Sequence, residues 1–423
     1  MDSHDGRHPA VTANGPGGQG TGPRLKRWML GALIAGVAVS AVMAVLKPVP
    51  GGRHYEYALI LSASLTVIWL IFIARPQTFF GRFVPVLVLA CGLALGTANL
   101  LVIKSDSEIV RTYRSVFDAL EAGKNPYTAG TIYHEIEGQG PVYGNFNYPP
   151  PEILPYYLAY RIAGTWNMTV LAAAMILIQA LAVSVLFLMF PRIRPARLWP
   201  FVPMILLGEV KTTVALTLLA TAAVLWVIKK DAERPRPVHR YAIAVLFGLG
   251  SMTKFLILPL LLAYYAHKFD RRNLRSLAAI GIDLSIAAAT AFLVMAPFGI
   301  VNVLKNTALF NLVLKDRAVM TTFYPNVLSG PLAWIGWGGL FPFAAFVLLA
   351  LAILAAPKLD TLTAMTVAAN VFMILATTPE PQFLAALVLI AVVAQGMAVE
   401  EGVREGPADA FPGILRPAKE AAA

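Results

Sequence analysis

The sequence predicts an all-α, polytopic membrane protein, on three observations. The chain is 58% hydrophobic and only 13% charged, whereas soluble domains carry roughly 25% charge, and its mean hydropathy is +0.68. Several apolar runs approach or exceed the roughly 18 residues that mark a spanning helix. The basic residues cluster at the ends of these runs: Arg24, Lys26 and Arg27; Arg75 and Arg82; Lys229, Lys230, Arg234, Arg236 and Arg240; Lys268, Arg271, Arg272 and Arg275. That is the positive-inside pattern. It accounts for the net charge of +11 without a nucleic-acid partner, which would need the charges on one soluble face. The single Cys91 excludes an intrachain disulfide and a site built on several thiolates.

In chain order, residues 1–22 are rich in Gly, Pro and polar residues and predict a disordered cytoplasmic tail. Trp28–Leu46 is the first predicted span, without the small-residue cleavage pattern of a removable signal. Tyr55–Ala74 returns to the cytoplasm and Phe83–Ile103 crosses again, which places Lys104–Pro151 outside. Further spans are predicted at Met168–Met189, Thr212–Ile228, Leu277–Ala296, Pro331–Ala356, Leu362–Thr377 and Phe383–Val399. The domain organisation expected is one transmembrane domain over residues 23–399, with cytoplasmic tails at 1–22 and 400–423.

Three pieces do not fit whole spans. Glu152–Ala163 and Leu198–Leu207 are short, and one or the other is expected to cross. Tyr241–Ala266 lies between two cytoplasmic charge clusters, too long for one untilted span and too short for two. It predicts two broken half-depth helices meeting near Lys254. Either path gives roughly 11 to 13 membrane segments with both termini inside. Broken segments need protein or water around their freed backbone groups, so they point to a hydrated cavity open to the outer face.

The 104–151 loop is a charged and aromatic island between membrane sequences. From Glu108 to Leu120 the spacing is helical, with Ile109, Tyr113, Val116 and Leu120 on one face and Arg111, Arg114, Asp118 and Glu121 on the other. Gly123 ends this helix and Asn125-Pro126 makes a turn. Tyr143, Phe146 and Tyr148 lead back to Pro149-Pro150-Pro151. Asp106, just past the third span, is the leading candidate for a base, with Glu108 second; Asp106 also suits a helix N-cap. Lys254 inside the membrane is a functional candidate by default, suited to binding phosphate. Lys211 and Glu209 stand near the outer end of a span. Residues 298–330 form a second external region in which Arg317 can clamp phosphate. His134, Glu135 and Glu137 make only a poor divalent site. Glu380 and Gln382 flank prolines at the outer end of a span.

The order Asp106, Tyr113, Ala122-Gly123-Lys124-Asn125-Pro126-Tyr127, then Asn147-Tyr148-Pro149-Pro150 resembles the polytopic glycosyltransferases of the GT-C superfamily. It is most similar to the group that uses polyprenyl-phosphate sugars, which includes phosphatidylinositol-mannoside mannosyltransferases. Gly208-Glu209-Val210-Lys211 stands where that family has a Gly-Gln-x-Asn-like stretch, with Glu209 and Lys211 in place of neutral amides. Thr253-Lys254-Phe255, with Pro259 beyond, resembles its intramembrane lysine-to-proline segment. A further departure is the two extra spans before the loop.

The resemblance implies a GT-C-like bundle with Asp106 as catalytic base. It also implies substrate and phosphate contacts from Lys211, Lys254, Arg317, Glu209, Tyr113, Asn125, Tyr127, Asn147 and Tyr148, with no metal and no cofactor. The implied partners are a polyprenyl-phosphate sugar, most often mannose, a lipid-linked or glycan acceptor, and membrane lipids. The location implied is a bacterial plasma membrane with the site facing outward. One carboxylate and direct displacement imply inversion of the sugar. No Walker motif or dinucleotide fingerprint is present, so activation arrives on a lipid substrate or the protein is not an enzyme. The alternatives are an arabinofuranosyl or other pentosyltransferase with the same kind of donor, and a non-enzymatic lipid or glycolipid transporter.

Overall fold

In a bilayer the backbone must satisfy its own polar groups, so apolar runs of spanning length become helices. The computed structural model describes residues 21–49, 55–74, 79–101, 108–129, 132–136, 140–207, 214–254, 256–270, 273–307, 325–375 and 384–405. Before the loop come α1 (Thr21–Leu46), α2 (Tyr55–Ile73) and α3 (Phe79–Leu101). α1 and α2 pack as a pair. The Trp69 indole donates to the Lys26 carbonyl at 3.0 Å, and the Ser40 and Ser62 hydroxyls meet at 3.4 Å between the two helices.

The loop holds α4 (Glu108–Glu121) and the short α5 (Pro126–Ala129). It then forms an antiparallel hairpin of β1 (Ile132–Ile136) and β2 (Gly140–Gly144), with Tyr133 opposite Tyr143 and His134 opposite Val142. The helix and turn stand as the spacing predicts, and the hairpin is an added element that the sequence reading did not include. Its first strand combines β-branched and aromatic residues, which favour a pleated strand, and glycines bound the second.

The chain returns through α6 (Ile153–Ala163) into α7 (Met168–Met189), which is capped by Asn167 accepting from the Val170 amide at 3.0 Å. α8 (Val202–Leu207) follows and packs on α3 and α7. The 11 residues of α6 make about 16 Å of helix, and α8 is shorter still. Neither reaches across the ~30 Å hydrocarbon core, so neither makes the extra crossing expected of Glu152–Ala163 or Leu198–Leu207 beside α7. Gly92 of α3 lies against the Met204 backbone of α8, where a β-carbon would collide.

α9 (Ala215–Glu233) precedes α10 (Pro237–Ser251) and α11 (Ile257–Lys268). The 241–266 stretch is thus divided, with Lys254 in the break. α12 (Leu274–Met295) packs along α10, with Gly248 against the Ala287 carbonyl, and leads to the short α13 (Ile300–Leu304). Small residues at such crossings let helices approach in a membrane, where water does not drive them together. Helices Ser329–Trp334, Phe341–Ala355, Thr361–Ile374 and Leu384–Glu405 complete the described fold.

Five of these segments are long and apolar enough to cross a bilayer: Arg24–Leu46, Tyr55–Ile73, Met168–Met189, Arg275–Phe298 and Gly338–Lys358. Phe83–Ala98, Thr361–Ile374 and Leu384–Glu400 are shorter apolar helices. Leu293, Phe343 and Phe346 are exposed on outward faces, as expected of surfaces solvated by acyl chains. The chain is therefore an all-helical bundle of a polytopic membrane protein, with one small hairpin among its described residues.

Three apolar clusters form the core of the described residues, the least of them around Met43, Val49 and Tyr55. The largest gathers Trp69, Phe190, Phe247, Leu256 and Tyr264 from α2, α7, α10 and α11 and the helices at 361–374 and 384–405. The second, rich in aromatic rings such as Tyr113, Phe117, Phe146 and Trp166, lies under the loop. At the basic end of the bundle, ion pairs fasten the helices. Arg240 donates Nε to both oxygens of Asp283 at 2.8 and 2.9 Å and Nη2 to the Ala279 carbonyl. Lys229 pairs with Glu233 at 2.7 Å and with Glu400 at 3.0 Å.

Candidate functional site

The site begins with the amphipathic pattern of α4. Tyr113, Val116 and Phe117 are buried, while Arg111, Arg114, Asp118 and Glu121 stay exposed. The inward face enters an aromatic nest. Tyr113 packs edge-on to Phe146 and Tyr156, with centroids at 5.6 and 5.2 Å, and Phe117 packs edge-on to Trp166 at 4.9 Å. The Trp166 indole donates to the Val110 carbonyl at 2.9 Å and ties α4 to the start of α7.

Gly123 ends α4 at φ 66°, a left-handed turn that suits glycine. Two residues on, Asn125 works in two directions. Its Oδ1 accepts from the Tyr127 amide at 3.0 Å and its Nδ2 donates to the Phe298 carbonyl at 2.6 Å. Asn306 donates to the Tyr127 carbonyl at 2.9 Å. The turn after α4 is thereby stitched to the segment around Phe298 and Asn306 that follows α12. Tyr127 is buried, and its hydroxyl donates to the Tyr148 carbonyl at 2.6 Å. Burial first, and the Glu152 charge second, push its phenol well above its ordinary value, so it stays a neutral donor.

Pro149-Pro150-Pro151 then fixes the chain's re-entry. A 3-10 turn over Pro150–Glu152 carries Glu152 into the interior, where it is 0% exposed. The Tyr113 hydroxyl donates to Glu152 Oε2 at 2.9 Å. The Lys254 ammonium stands 3.6 Å from Glu152 Oε1 and 4.1 Å from the centroid of the Tyr148 ring. A buried carboxylate, a buried ammonium and an aromatic face thus converge.

Lys254 reaches this point because the helix stops. The Ser251 and Thr253 hydroxyls donate to the Gly248 and Gly250 carbonyls at 2.8 and 2.7 Å, and Thr217 of α9 donates to Thr253 at 3.0 Å. The Ile257 amide returns to the Lys254 carbonyl at 3.2 Å. Hydroxyls and local turns therefore satisfy groups the break sets free, the condition for irregular backbone in a membrane. Lys254 is 9% exposed. Its 3.6 Å approach to Glu152 is ion pairing but is too long for a hydrogen bond. Among the described residues the ammonium makes no hydrogen bond and has only Glu152 and the Tyr148 face as charge partners. An ammonium offers three donors, so the arrangement can receive an anionic oxygen.

Of the residues singled out in the sequence, Tyr113, Tyr127, Tyr148 and Lys254 come together here, and Asn125 anchors the turn that holds them. Asn147 lies beside Tyr148, and its Oδ1 is buried with no hydrogen-bond partner among the described residues. Glu108 opens α4 and is exposed. Asp106, Glu209, Lys211, Arg317, Glu137, Glu380 and Gln382 lie outside the described residues. His134 and Glu135 fall on β1. Among the described residues no three His, Cys, Asp or Glu side chains gather as a metal site.

Sequence reasoning missed Glu152, Tyr156 and Trp166. Glu152 had a signal, as the one acid at the head of an apolar run directly after three prolines. The rule that draws attention to Lys254, that an ionisable residue inside a membrane protein has a reason to be there, applies to it equally. Tyr156 and Trp166 had none, because aromatics near an interface are ordinary anchors.

Comparison of the chain with protein-family models, curated proteins and solved structures yields no match. What stands is an all-helical polytopic membrane protein in which the loop between α3 and α6 is tied to a helix break by a buried Glu–Lys–Tyr cluster.

Proposed function

We propose that the chain is a glycosyltransferase with a GT-C-like bundle of roughly 11 to 13 membrane segments. In this reading it moves a sugar, most readily mannose, from a polyprenyl-phosphate donor to a hydroxyl of a lipid-linked or cell-envelope glycan. The reaction takes place at the outer face of the plasma membrane, within the single domain of residues 23–399. Asp106 takes the acceptor's proton and one displacement inverts the sugar. Lys254 receives the donor phosphate, with Lys211 and Arg317 as further cations and Glu209 and Asn147 toward sugar hydroxyls. The observation that supports this reading is Lys254, a buried ammonium with unused donors at a helix break, bound into the aromatic base of the external loop. A charged donor at low dielectric is worth more to a phosphate than one in water.

The testing experiment offers the purified protein a polyprenyl-phosphate mannose, a polyprenyl-phosphate arabinose and a nucleotide sugar. Transfer from a lipid-linked sugar alone supports the proposal, and the preferred lipid decides the sugar. Direct transfer from the nucleotide sugar rejects it.

One observation favours a second reading. Short paired helices around a buried ion pair also serve transporters, which bind cargo at broken helices. Translocation of a labelled glycolipid by reconstituted vesicles, without sugar transfer, selects that reading.

A further inference from the structure

Lys254 binds the donor phosphate in the reading above, and the following inference rests on that reading. In the structure the same ammonium already faces an anion, Glu152, at 3.6 Å. Glu152 is wholly buried, and its other oxygen accepts from Tyr113 at 2.9 Å. A phosphate arriving at Lys254 places a second negative charge beside this carboxylate. Two anions sharing one cation in a water-poor site repel strongly, and the usual relief is protonation of one of them.

We propose that Glu152 is the resident counter-ion which the donor's phosphate displaces from Lys254, and that Glu152 takes up one proton as it is displaced. Three features of the geometry carry this. The Glu152–Lys254 contact is too long for a hydrogen bond, so the phosphate gains hydrogen bonds the carboxylate does not make. The Lys254 charge is held between Glu152 and the Tyr148 ring at 4.1 Å, and the ring can keep its cation contact while the anion changes. Tyr113 lies on the far oxygen of Glu152, where its hydroxyl can go on donating after the near oxygen is protonated. The titratable groups facing Glu152 include Tyr113 from α4, Lys254 from the helix break, Tyr127 from the turn after α4 and Tyr156 from α6. These phenols remain neutral over ordinary working pH, and Glu152 is the carboxylate that stands directly against the cation the phosphate approaches. Glu152 is thus a positioning residue that holds Lys254 until donor arrives, and it makes donor capture sensitive to pH.

The test measures binding to the full-length protein in nanodiscs. The probe is methyl farnesyl phosphate, a phosphodiester with one fixed negative charge, and farnesol is the neutral control. For the wild type, affinity for the phosphodiester is expected to fall by up to about tenfold per pH unit once Glu152 is ionised in the free protein, the limit for uptake of one proton. Glu152→Gln is expected to flatten this profile and to bind about tenfold or more tightly than wild type at the alkaline end. Should Glu152→Gln fail to fold, Tyr113→Phe provides the same test. Removing the hydrogen bond that favours the ionised carboxylate is expected to extend tight binding to higher pH, whereas a merely structural role would leave the profile in place. Wild-type binding of the phosphodiester with a flat profile, or a Glu152→Gln or Tyr113→Phe profile superposed on the wild type, overturns the counter-ion role while leaving the donor reading intact. Phosphodiester binding no stronger than farnesol overturns both.

Discussion

The Lys254 ammonium lies 3.6 Å from Glu152 Oε1, so the break between α10 and α11 and the end of the loop that carries α4 share one buried ion pair. Neither residue is near the other in sequence. Their meeting fixes where the loop sits on the bundle, and it concentrates the charge of this region at one point beneath Tyr148.

Removing one partner of this pair is expected to be costly, and removing both much less so. Lys254→Met leaves a buried carboxylate without its cation, a loss of about 3–5 kcal/mol by comparison with other buried pairs. The double variant Lys254→Met/Glu152→Gln is expected to recover most of that stability. Both variants are expected to lose polyprenyl-phosphate binding. Thermal unfolding in detergent checks the first expectation and ligand titration the second. Wild-type affinity in the folded double variant would dismiss Lys254 as the phosphate contact.

Two neighbouring tyrosines are expected to behave differently. Tyr113 donates to a buried carboxylate, a bond worth about 1.5–3 kcal/mol, so Tyr113→Phe is expected to lower the melting temperature. The Tyr156 hydroxyl is buried with no hydrogen-bond partner among the described residues. Tyr156→Phe is expected to change stability by less than ~1 kcal/mol, in either direction. Comparable losses from both substitutions would mean that Tyr156 has a partner beyond the described residues.

Asn125 joins the turn after α4 to Phe298. Asn125→Ala is expected to speed amide hydrogen exchange through residues 108–129 without a matching fall in global stability, because the lost bonds hold only this turn against Phe298 and lie outside the largest core cluster. Unchanged exchange in that segment would show that the aromatic nest alone holds the loop.

Asp106→Asn is expected to leave the protein folded and donor binding intact while turnover drops by about 10²- to 10⁴-fold, the usual worth of a general base. A single-turnover assay with a lipid-linked donor makes the measurement. Near wild-type turnover would move the base to another carboxylate, with Glu108 and Glu209 next.

Helix identity and the membrane class were legible in the sequence because they are local. Apolar run length and the placement of lysines and arginines depend only on residues close together in the chain. The inward face of α4, its stop at Gly123 and the division of 241–266 near Lys254 follow from spacing and from length against bilayer thickness in the same way. The strands at 132–136 and 140–144 were less visible, since a five-residue strand has almost no periodicity to read and is settled by its partner across the turn. The partnership of Glu152 with Lys254 and Tyr113 was decided only by tertiary structure. Three prolines aim Glu152 inward, a helix break brings Lys254 up to it, and α4 lays Tyr113 across its other oxygen. Lys254 alone reads as a functional candidate inside the membrane, but nothing near it in the chain names Glu152 or Tyr113 as its partners. A buried charge becomes tolerable only where packing places its counter-charge and hydrogen-bond donor within a few ångströms, and chain folding over long sequence separations sets those distances.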